Sequence, residues 1–340
     1  MAVGWGPGLS LRSGRDMPGT ISRHCHSWHP SRHCDLGPMA VSDIRWPQVA
    51  FLGLGALGAP MAANLLAAGV PLTVHNRSRD RELPLEALGA SRAAHPAAAA
   101  ASAAVVCLCL RDDDAVREVL LGPQGVVAGA APGTLVLDIS TIAPASSAAL
   151  AKDLAGHGLA YLDAPVTGGT EGARAGTLVV LAGGDPADLE RARPLLQVVG
   201  AAVHHFGPVG AGQRVKAVNQ VLVAGSYAAV AEAMALGVRL GLPMAAVCGA
   251  LEGGAAGSWA LRHRAGAMLA GQFPLGFKLE LHRKDLAIAL AAAAEVGLEL
   301  PLSERVAALE EALIAQGHGG EDVSALVRWY GEGTTSRPPA

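Results

Sequence analysis

Charge is scarce in this chain. Only 16% of its 340 residues are Asp, Glu, Lys or Arg and the net charge is −3, so composition offers no basic surface to hold nucleic acid. Cysteine is nearly as scarce: there are five, an odd number, and Cys107, Cys109 and Cys248 sit among apolar neighbours. That usage fits buried thiols in a reducing compartment rather than a disulfide framework, and a cytoplasmic protein is expected. Residues 1 to about 45 lack the continuous apolar core of a secretory signal. They are dense in Gly, Pro, Arg, His and Trp and show no apolar periodicity, so 1–46 reads as a disordered extension or as a start assigned too early, with Met39 the true first residue. An arginine-rich transit peptide is a third reading, opposed by the acidic residues and prolines. His24, Cys25, His26, His29, His33 and Cys34 are zinc-ligand types in no zinc-ligand spacing, so no metal is expected. Membrane spans are not expected either. Residues 97–110 are too short and mainly alanine, and 215–236 carry Lys216, Asn219, Gln220 and Glu232.

What is present is apolar bulk: 51% of the residues are hydrophobic, enough for a large core and two domains. Val49 to Leu52 form a short apolar run ending in Gly53-Leu54-Gly55-Ala56-Leu57-Gly58. The run reads as a buried strand. Three glycines spaced G-x-G-x-x-G let the backbone turn, approach a pyrophosphate and pack the next helix on the strand. That helix follows in Ala59 to Ala68, with Pro60 near its start and Gly69 at its end. About 20 residues past the glycines, where this fold reads the adenosine ribose, Leu72 to His75 runs into Asn76-Arg77-Ser78 instead of an acidic residue. Arg77 reads either as a ligand for a 2′-phosphate or as a solvated loop arginine near Asp80 and Glu82, and NADP is the expected preference.

Strand-like and helical segments then alternate, as a parallel sheet requires. Ala103 to Leu110 is a buried strand leading to Arg111-Asp112-Asp113-Asp114, whose third aspartate is expected to cap a helix through Leu121. Gly133 to Asp138 is another strand, and Leu110 and Thr141 fall at carboxyl ends of strands, on the ligand-binding edge. Thr167-Gly168-Gly169 reads as a turn whose hydroxyl and backbone N–H groups suit a carboxylate. Asp185-Pro186 opens a further helix.

From Gly212 onward strands nearly vanish. Gln213 to Leu240 is expected as one long helix, with Lys216, Asn219 and Gln220 on one face. In a carbonyl reduction the protein must place the carbonyl, neutralise the developing oxyanion and deliver a proton, and a partly desolvated lysine does the last two. Lys216 is the candidate. Arg283, Lys284 and Asp285 read either as further site charges or as a solvated helix face.

Taken together, Phe51-Leu52-Gly53-Leu54-Gly55 with Gly58 to Leu65, Asp163-Ala164-Pro165-Val166-Thr167-Gly168-Gly169, Gly210-Ala211-Gly212 leading to Lys216 and Asn219-Gln220, and Lys284-Asp285-Leu286 resemble the β-hydroxyacid dehydrogenase family. The resemblance spans about Gln48 to Tyr330. It implies an α/β Rossmann domain, a doubly wound and mainly parallel sheet over 47–210, followed by an all-α domain over 211–333 and a tail over 334–340. The long helix joins the two, and the helical halves pair between subunits as a homodimer or homotetramer. It also implies Lys216 as the catalytic lysine, Thr167, Gly168 and Gly169 as the substrate-carboxylate loop, and Asn219 as an orienting residue. Leu110, Thr141 and Lys284 fall on cofactor-contacting positions beside Gly53 to Gly58 and Asn76 to Ser78. The implied activity is hydride transfer between NADP(H), with NAD(H) an alternative, and a small 3-hydroxy acid or aldehyde acid.

Departures from the family pattern bear on substrate. Thr167 stands where Ser is usual, and Arg111 where Pro is frequent. Asn219-Gln220 and Leu251 to Trp259 look closer to tartronate semialdehyde reductases; Ser258 and Trp259 read as pocket lining, or else the glycines mark a helix break and Trp259 packs in the core. A 3-hydroxyisobutyrate dehydrogenase, a glyoxylate/succinic semialdehyde reductase and a non-catalytic nucleotide sensor remain the alternatives.

Overall fold

The computed structural model describes residues 45–331. The zinc-type ligands between His24 and Cys34, Met39 and the 334–340 tail lie outside the described residues. The chain begins with β1 (Val49–Leu52), α1 (Gly58–Ala67), β2 (Leu72–His75), α2 (Leu83–Ala87), β3 (Ser91–Arg92), α3 (Pro96–Ala100), β4 (Val105–Leu108), α4 (Asp113–Leu121), β5 (Leu135–Asp138), α5 (Pro144–Ala155) and β6 (Ala160–Asp163). These strands form one six-stranded parallel sheet in the order β3-β2-β1-β4-β5-β6. Every residue of β1, β4 and β5 is buried, as parallel strands covered on both faces must be. The period-two alternation divides β1 between two cores. Val49 and Phe51 pack with Met61 and Leu65 of α1 on one face, while Ala50 and Leu52 pack with Leu120, Leu150 and Leu154 on the other.

After β6 the chain adds β7 (Val166–Thr167), α6 (Gly169–Ala175), β8 (Leu178–Ala182), α7 (Pro186–Val199) and β9 (Gly200–His205). Here β7 pairs antiparallel with β8, and β8 parallel with β9, in a separate small sheet. The helical half follows as α8 (Ala211–Arg239), α9 (Met244–Glu252), α10 (Trp259–Ala270), α11 (Leu279–Glu295) and α12 (Pro301–Leu313), closed by 3-10 turns over Val323–Tyr330. With 29 residues, α8 is roughly 44 Å long at 1.5 Å per residue. Its apolar side joins Met234 to Leu261, Leu286, Val306 and Leu326 in a third core. By length and hydropathy alone α8 passes as a membrane span; α10, α11 and α12 pack along it.

Three local expectations shift. The strand expected over 103–110 is ordered as β4 only to Leu108, because Leu110 N–H is taken by the Ser140 hydroxyl (2.9 Å) rather than by a strand. The cap of α4 is Asp112, not Asp114: Asp112 is extended and its Oδ1 accepts Ala115 N–H at 2.9 Å, whereas Asp114 already lies in the first turn. And α8 starts at Ala211, two residues before Gln213, because Gly210 at φ 88° turns the chain and the Asp163 carboxylate receives the Gly210 and Gln213 N–H groups at 2.7 and 3.0 Å. The Asp185-Pro186 start holds, with Asp185 Oδ1 accepting Ala187 N–H at 2.7 Å.

Candidate active site

The order of the large sheet reverses between β1 and β4, and ligands bind open α/β sheets at such a switch, outside the carboxyl ends of the strands. The three glycines of the β1–α1 turn have separate reasons to be there. Gly53 has φ +98°, and a Cβ on it would lie 2.3 Å from the Cys109 carbonyl oxygen. One on Gly58 would lie 2.0 Å from the Gly53 carbonyl oxygen. Both are demanded by packing. A Cβ on Gly55 would meet nothing within 4 Å, so its absence serves no protein neighbour and keeps room for a ligand to reach the backbone. No side chain caps the start of α1; Ala59 N–H donates to Gly55 O at 3.1 Å and Pro60 has no N–H, so Gly58 N–H and the positive end of the dipole remain for an anion. These features fit a dinucleotide pyrophosphate. Leu54 is held by Asn76 Oδ1, which accepts its N–H at 2.8 Å, while Ala56 is exposed and Leu57 half-buried.

Beyond β2, Arg77 and Ser78 are exposed. The acidic neighbours that would oppose a phosphate differ in placement: Asp80 is exposed, but Glu82 is fully buried. Its carboxylate accepts Asn76 N–H at 2.8 Å and pairs with Arg79 at 2.8 Å and Arg92 at 2.7 Å. Two cations offset that charge, so Glu82 does not oppose an anion at Arg77. Sequence reasoning missed Arg81, whose Nη1 lies 3.5 Å from the Leu54 carbonyl oxygen; the one signal for it was a cation four residues beyond Arg77.

Lys216 lies one turn beyond the capped start of α8. Its Nζ donates to the Val166 carbonyl oxygen at 2.9 Å, immediately before Thr167. Thr167 is half-buried, and Gly168 and Gly169 follow at φ +128° and +65°, a conformation that consecutive L side chains would resist. The lysine and the expected carboxylate loop are thus adjacent. Asn219 is half-buried and donates from Nδ2 to Gln220 Oε1 at 2.7 Å; Gln220 in turn donates to Asp285 Oδ2 at 2.8 Å. Asp285 Oδ1 pairs with Lys284 Nζ at 2.8 Å, and Lys284 also donates to the Thr141 carbonyl oxygen. Lys284 and Thr141 therefore meet across the two halves. Asp285 is 4% exposed, so it does not belong to a solvated face, whereas Arg283 pairs with the exposed Glu311 at 3.1 Å. Gln213 anchors the same end, donating to Ser140 O at 2.8 Å and accepting Ile142 N–H at 3.3 Å. In the sequence Gln213 marks only the start of the long helix, and Gln220 only its polar face and the Asn219-Gln220 pair.

Burial lowers the Lys216 pKa below the ordinary lysine value; Asp285 raises it and Lys284 lowers it further. A lysine depressed by desolvation releases its proton more readily than a solvated one. Cys107 and Cys109 are free thiols pushed by burial up to about 12, so neither is a nucleophile at neutral pH. Leu110 is half-buried, and its side chain lies where a Cβ on Gly53 would point, 2.7 Å away. Ser258 caps α10, its Oγ accepting Leu261 N–H at 3.0 Å. Trp259 is 46% exposed and stacks on Arg264 rather than filling the core. Arg111 is exposed and faces Asp112 at 3.7 Å.

Two family models match the chain. The NAD binding domain of 6-phosphogluconate dehydrogenase matches residues 48–207, and the NAD-binding domain of NADP-dependent 3-hydroxyisobutyrate dehydrogenase matches 210–330. Among curated relatives, an NAD-dependent L-serine dehydrogenase of Pseudomonas aeruginosa is 40% identical over 83% of this chain and 97% of its own. A 2-hydroxy-3-oxopropionate reductase of Escherichia coli is 36% identical over 83% and 96%. A solved Mycobacterium tuberculosis 3-hydroxyisobutyrate dehydrogenase with L-serine superposes with TM-score 0.75 at 34% identity, covering 83% of this chain and 98% of that one.

Proposed function

Because this chain belongs to the β-hydroxyacid dehydrogenase family and is an NAD(P)-dependent oxidoreductase acting on CH–OH groups, we propose that it reduces a small aldehyde acid such as tartronate semialdehyde, preferring NADPH. The observation that carries this reading is the placement of a buried lysine ammonium 2.9 Å from Val166 O, at the edge of the Thr167-Gly168-Gly169 turn. A substrate carboxylate held by the Thr167 hydroxyl and the N–H groups of Gly168 and Gly169 brings its carbonyl next to Lys216 Nζ. There Lys216 neutralises the developing oxyanion and donates the proton, while Asn219 orients the substrate. In the oxidative direction neutral Lys216 takes the hydroxyl proton.

A nicotinamide cofactor would supply or accept the hydride when bound. Gly53 to Gly58 would hold its pyrophosphate, Asn76, Arg77 and Ser78 the adenosine ribose and 2′-phosphate, and Leu110, Thr141 and Lys284 the nicotinamide end. We place the nucleotide-binding domain at 47–210 and the substrate domain at 211–333, in a cytoplasmic homodimer or homotetramer. The exposed apolar Val218, Leu222, Leu236 and Leu302 support pairing through the helical half. A second reading, an NAD-linked dehydrogenase of L-serine or 3-hydroxyisobutyrate, draws on the P. aeruginosa relative and the M. tuberculosis structure.

The deciding experiment compares initial rates with NADPH and NADH against tartronate semialdehyde, glyoxylate and succinic semialdehyde, and in reverse against L-serine and 3-hydroxyisobutyrate, with Lys216→Ala as control. NADPH-linked reduction of tartronate semialdehyde that vanishes in the variant supports the reading. Faster NAD-linked oxidation of L-serine or 3-hydroxyisobutyrate favours the second, and cofactor binding without turnover overturns both.

A further inference from the structure

Away from Lys216, charged side chains gather where α6 meets the helical half. The Arg264 side chain, on α10, is 7% exposed and faces two carboxylates: Nη2 donates to Glu171 Oε1 at 2.5 Å, and Nε lies 3.3 Å from Asp322 Oδ1. Its remaining nitrogen, Nη1, donates to the His263 carbonyl oxygen at 3.2 Å, and the guanidinium sits 4.7 Å from the Trp259 ring centroid. Nη1 and Nη2 thus already donate to the protein, and Nε, which makes no hydrogen bond, is buried beside a carboxylate. Arg264 is not placed to grip a substrate.

Its partner Glu171 lies two residues past Gly169, in the first turn of α6. Thr170 between them donates from Oγ1 to Leu275 O at 3.1 Å and from N–H to Gly276 O at 3.3 Å. Gly276 belongs to the same cluster, for a Cβ on it would lie 2.1 Å from Arg264 Nη2, and its N–H donates to Asp322 Oδ2 at 2.9 Å. At the other end of α6, Asn64 of α1 donates to Ala173 O at 2.9 Å. This helix has seven residues, no side-chain cap, and positive-φ glycines at 168, 169 and 176. Such a segment has little to define its position locally; its distant partners must do so.

We propose that Arg264, acting through Glu171, is a positioning residue that sets Gly168 and Gly169 in register with Lys216. The substrate affected is the small carboxylate of the reaction proposed above, and the proposal rests on that reading for the role of the turn. A displacement of about 1 Å in such a group costs on the order of 100-fold in rate, so an ion pair without substrate contact has a kinetic effect.

The test uses the full chain with Glu171→Gln, Arg264→Lys and the double variant. Glu171→Gln leaves the buried Arg264–Asp322 pair in place and so preserves the fold; Arg264→Lys keeps the charge but loses the guanidinium fork. In Glu171→Gln we expect faster amide hydrogen exchange over 168–176 with the large sheet unchanged. We also expect a KM for the aldehyde acid raised about tenfold or more, an unchanged KM for the cofactor and an unchanged alkaline limb of kcat. The double variant should be no worse than its worse parent. Unchanged exchange over 168–176 in Glu171→Gln, additive effects in the double variant, or an equal loss of cofactor affinity would each overturn the proposal. Absence of turnover in the unaltered protein would sink the functional reading instead, and the exchange measurement would still decide this one.

Discussion

Gln220 and Asp285, 65 residues apart in the chain, are joined by a hydrogen bond from Nε2 to Oδ2 of 2.8 Å. The bond ties α8 to α11 and fixes a carboxylate whose charge holds the Lys216 pKa up against burial. Reduction needs Lys216 protonated, so activity falls as pH rises through a pKa already below the ordinary lysine value. Asp285→Asn removes the opposing charge and lowers that pKa further. Its alkaline limb of kcat should therefore move to lower pH than that of the unaltered protein in a pH–rate profile. A limb that stays put, or moves up, would refute the coupling.

Lys216→Ala removes the proton donor and the cation that faces the oxyanion. The kcat for reduction should fall by about 100- to 10,000-fold, while NADPH affinity, followed by fluorescence, stays within about twofold. Parallel loss of cofactor binding would place Lys216 in nucleotide binding rather than chemistry.

Arg77→Ala tests the cofactor reading. A charge-assisted hydrogen bond of about 1.5–3 kcal/mol corresponds to roughly a 10- to 150-fold drop in kcat/KM for NADPH, with NADH nearly unaffected. Equal effects on both cofactors would count against a 2′-phosphate contact.

Asp138, at the end of β5, is fully buried and pushed up to about 6 by that burial, against hydrogen bonds from Ser140 and Tyr161 that lower it. In the unfolded chain it titrates near the ordinary carboxyl value of about 3.9. The folded state therefore binds the proton more tightly, and the stability from this group is present below about pH 4 and lost as pH rises through about 6. Each tenfold gain in proton affinity is worth about 1.4 kcal/mol, so the whole difference is on the order of 3 kcal/mol. Asp138→Asn should abolish it: denaturant midpoints of variant and unaltered protein, compared from about pH 4.5 to 7.5, diverge in favour of the variant as pH rises.

The residues legible in the sequence are those whose partners lie nearby in the chain. Gly53 to Gly58, the β1 run and the Asp185 cap declare themselves because turn geometry and capping act within a few residues. The strand and helix alternation follows from hydrophobic period, as does the long helix carrying Lys216. Even local reading has limits, as Asp112 rather than Asp114 shows: several aspartates in a row offer equivalent caps, and the packing of the preceding strand selects one.

What only the tertiary structure decided is which polar side chains meet. Glu82 reads as an acid opposing a phosphate until its pairing with Arg79 and Arg92 sets it aside. Arg283-Lys284-Asp285 allows a solvated face until Gln220 claims Asp285, and Arg264 carries no sequence signal before Glu171, 93 residues away, stands beside it. Local propensity and hydrophobic period determine which elements form and which faces they bury. The partner of a buried charge depends on how those faces stack, and that information is spread over the whole chain.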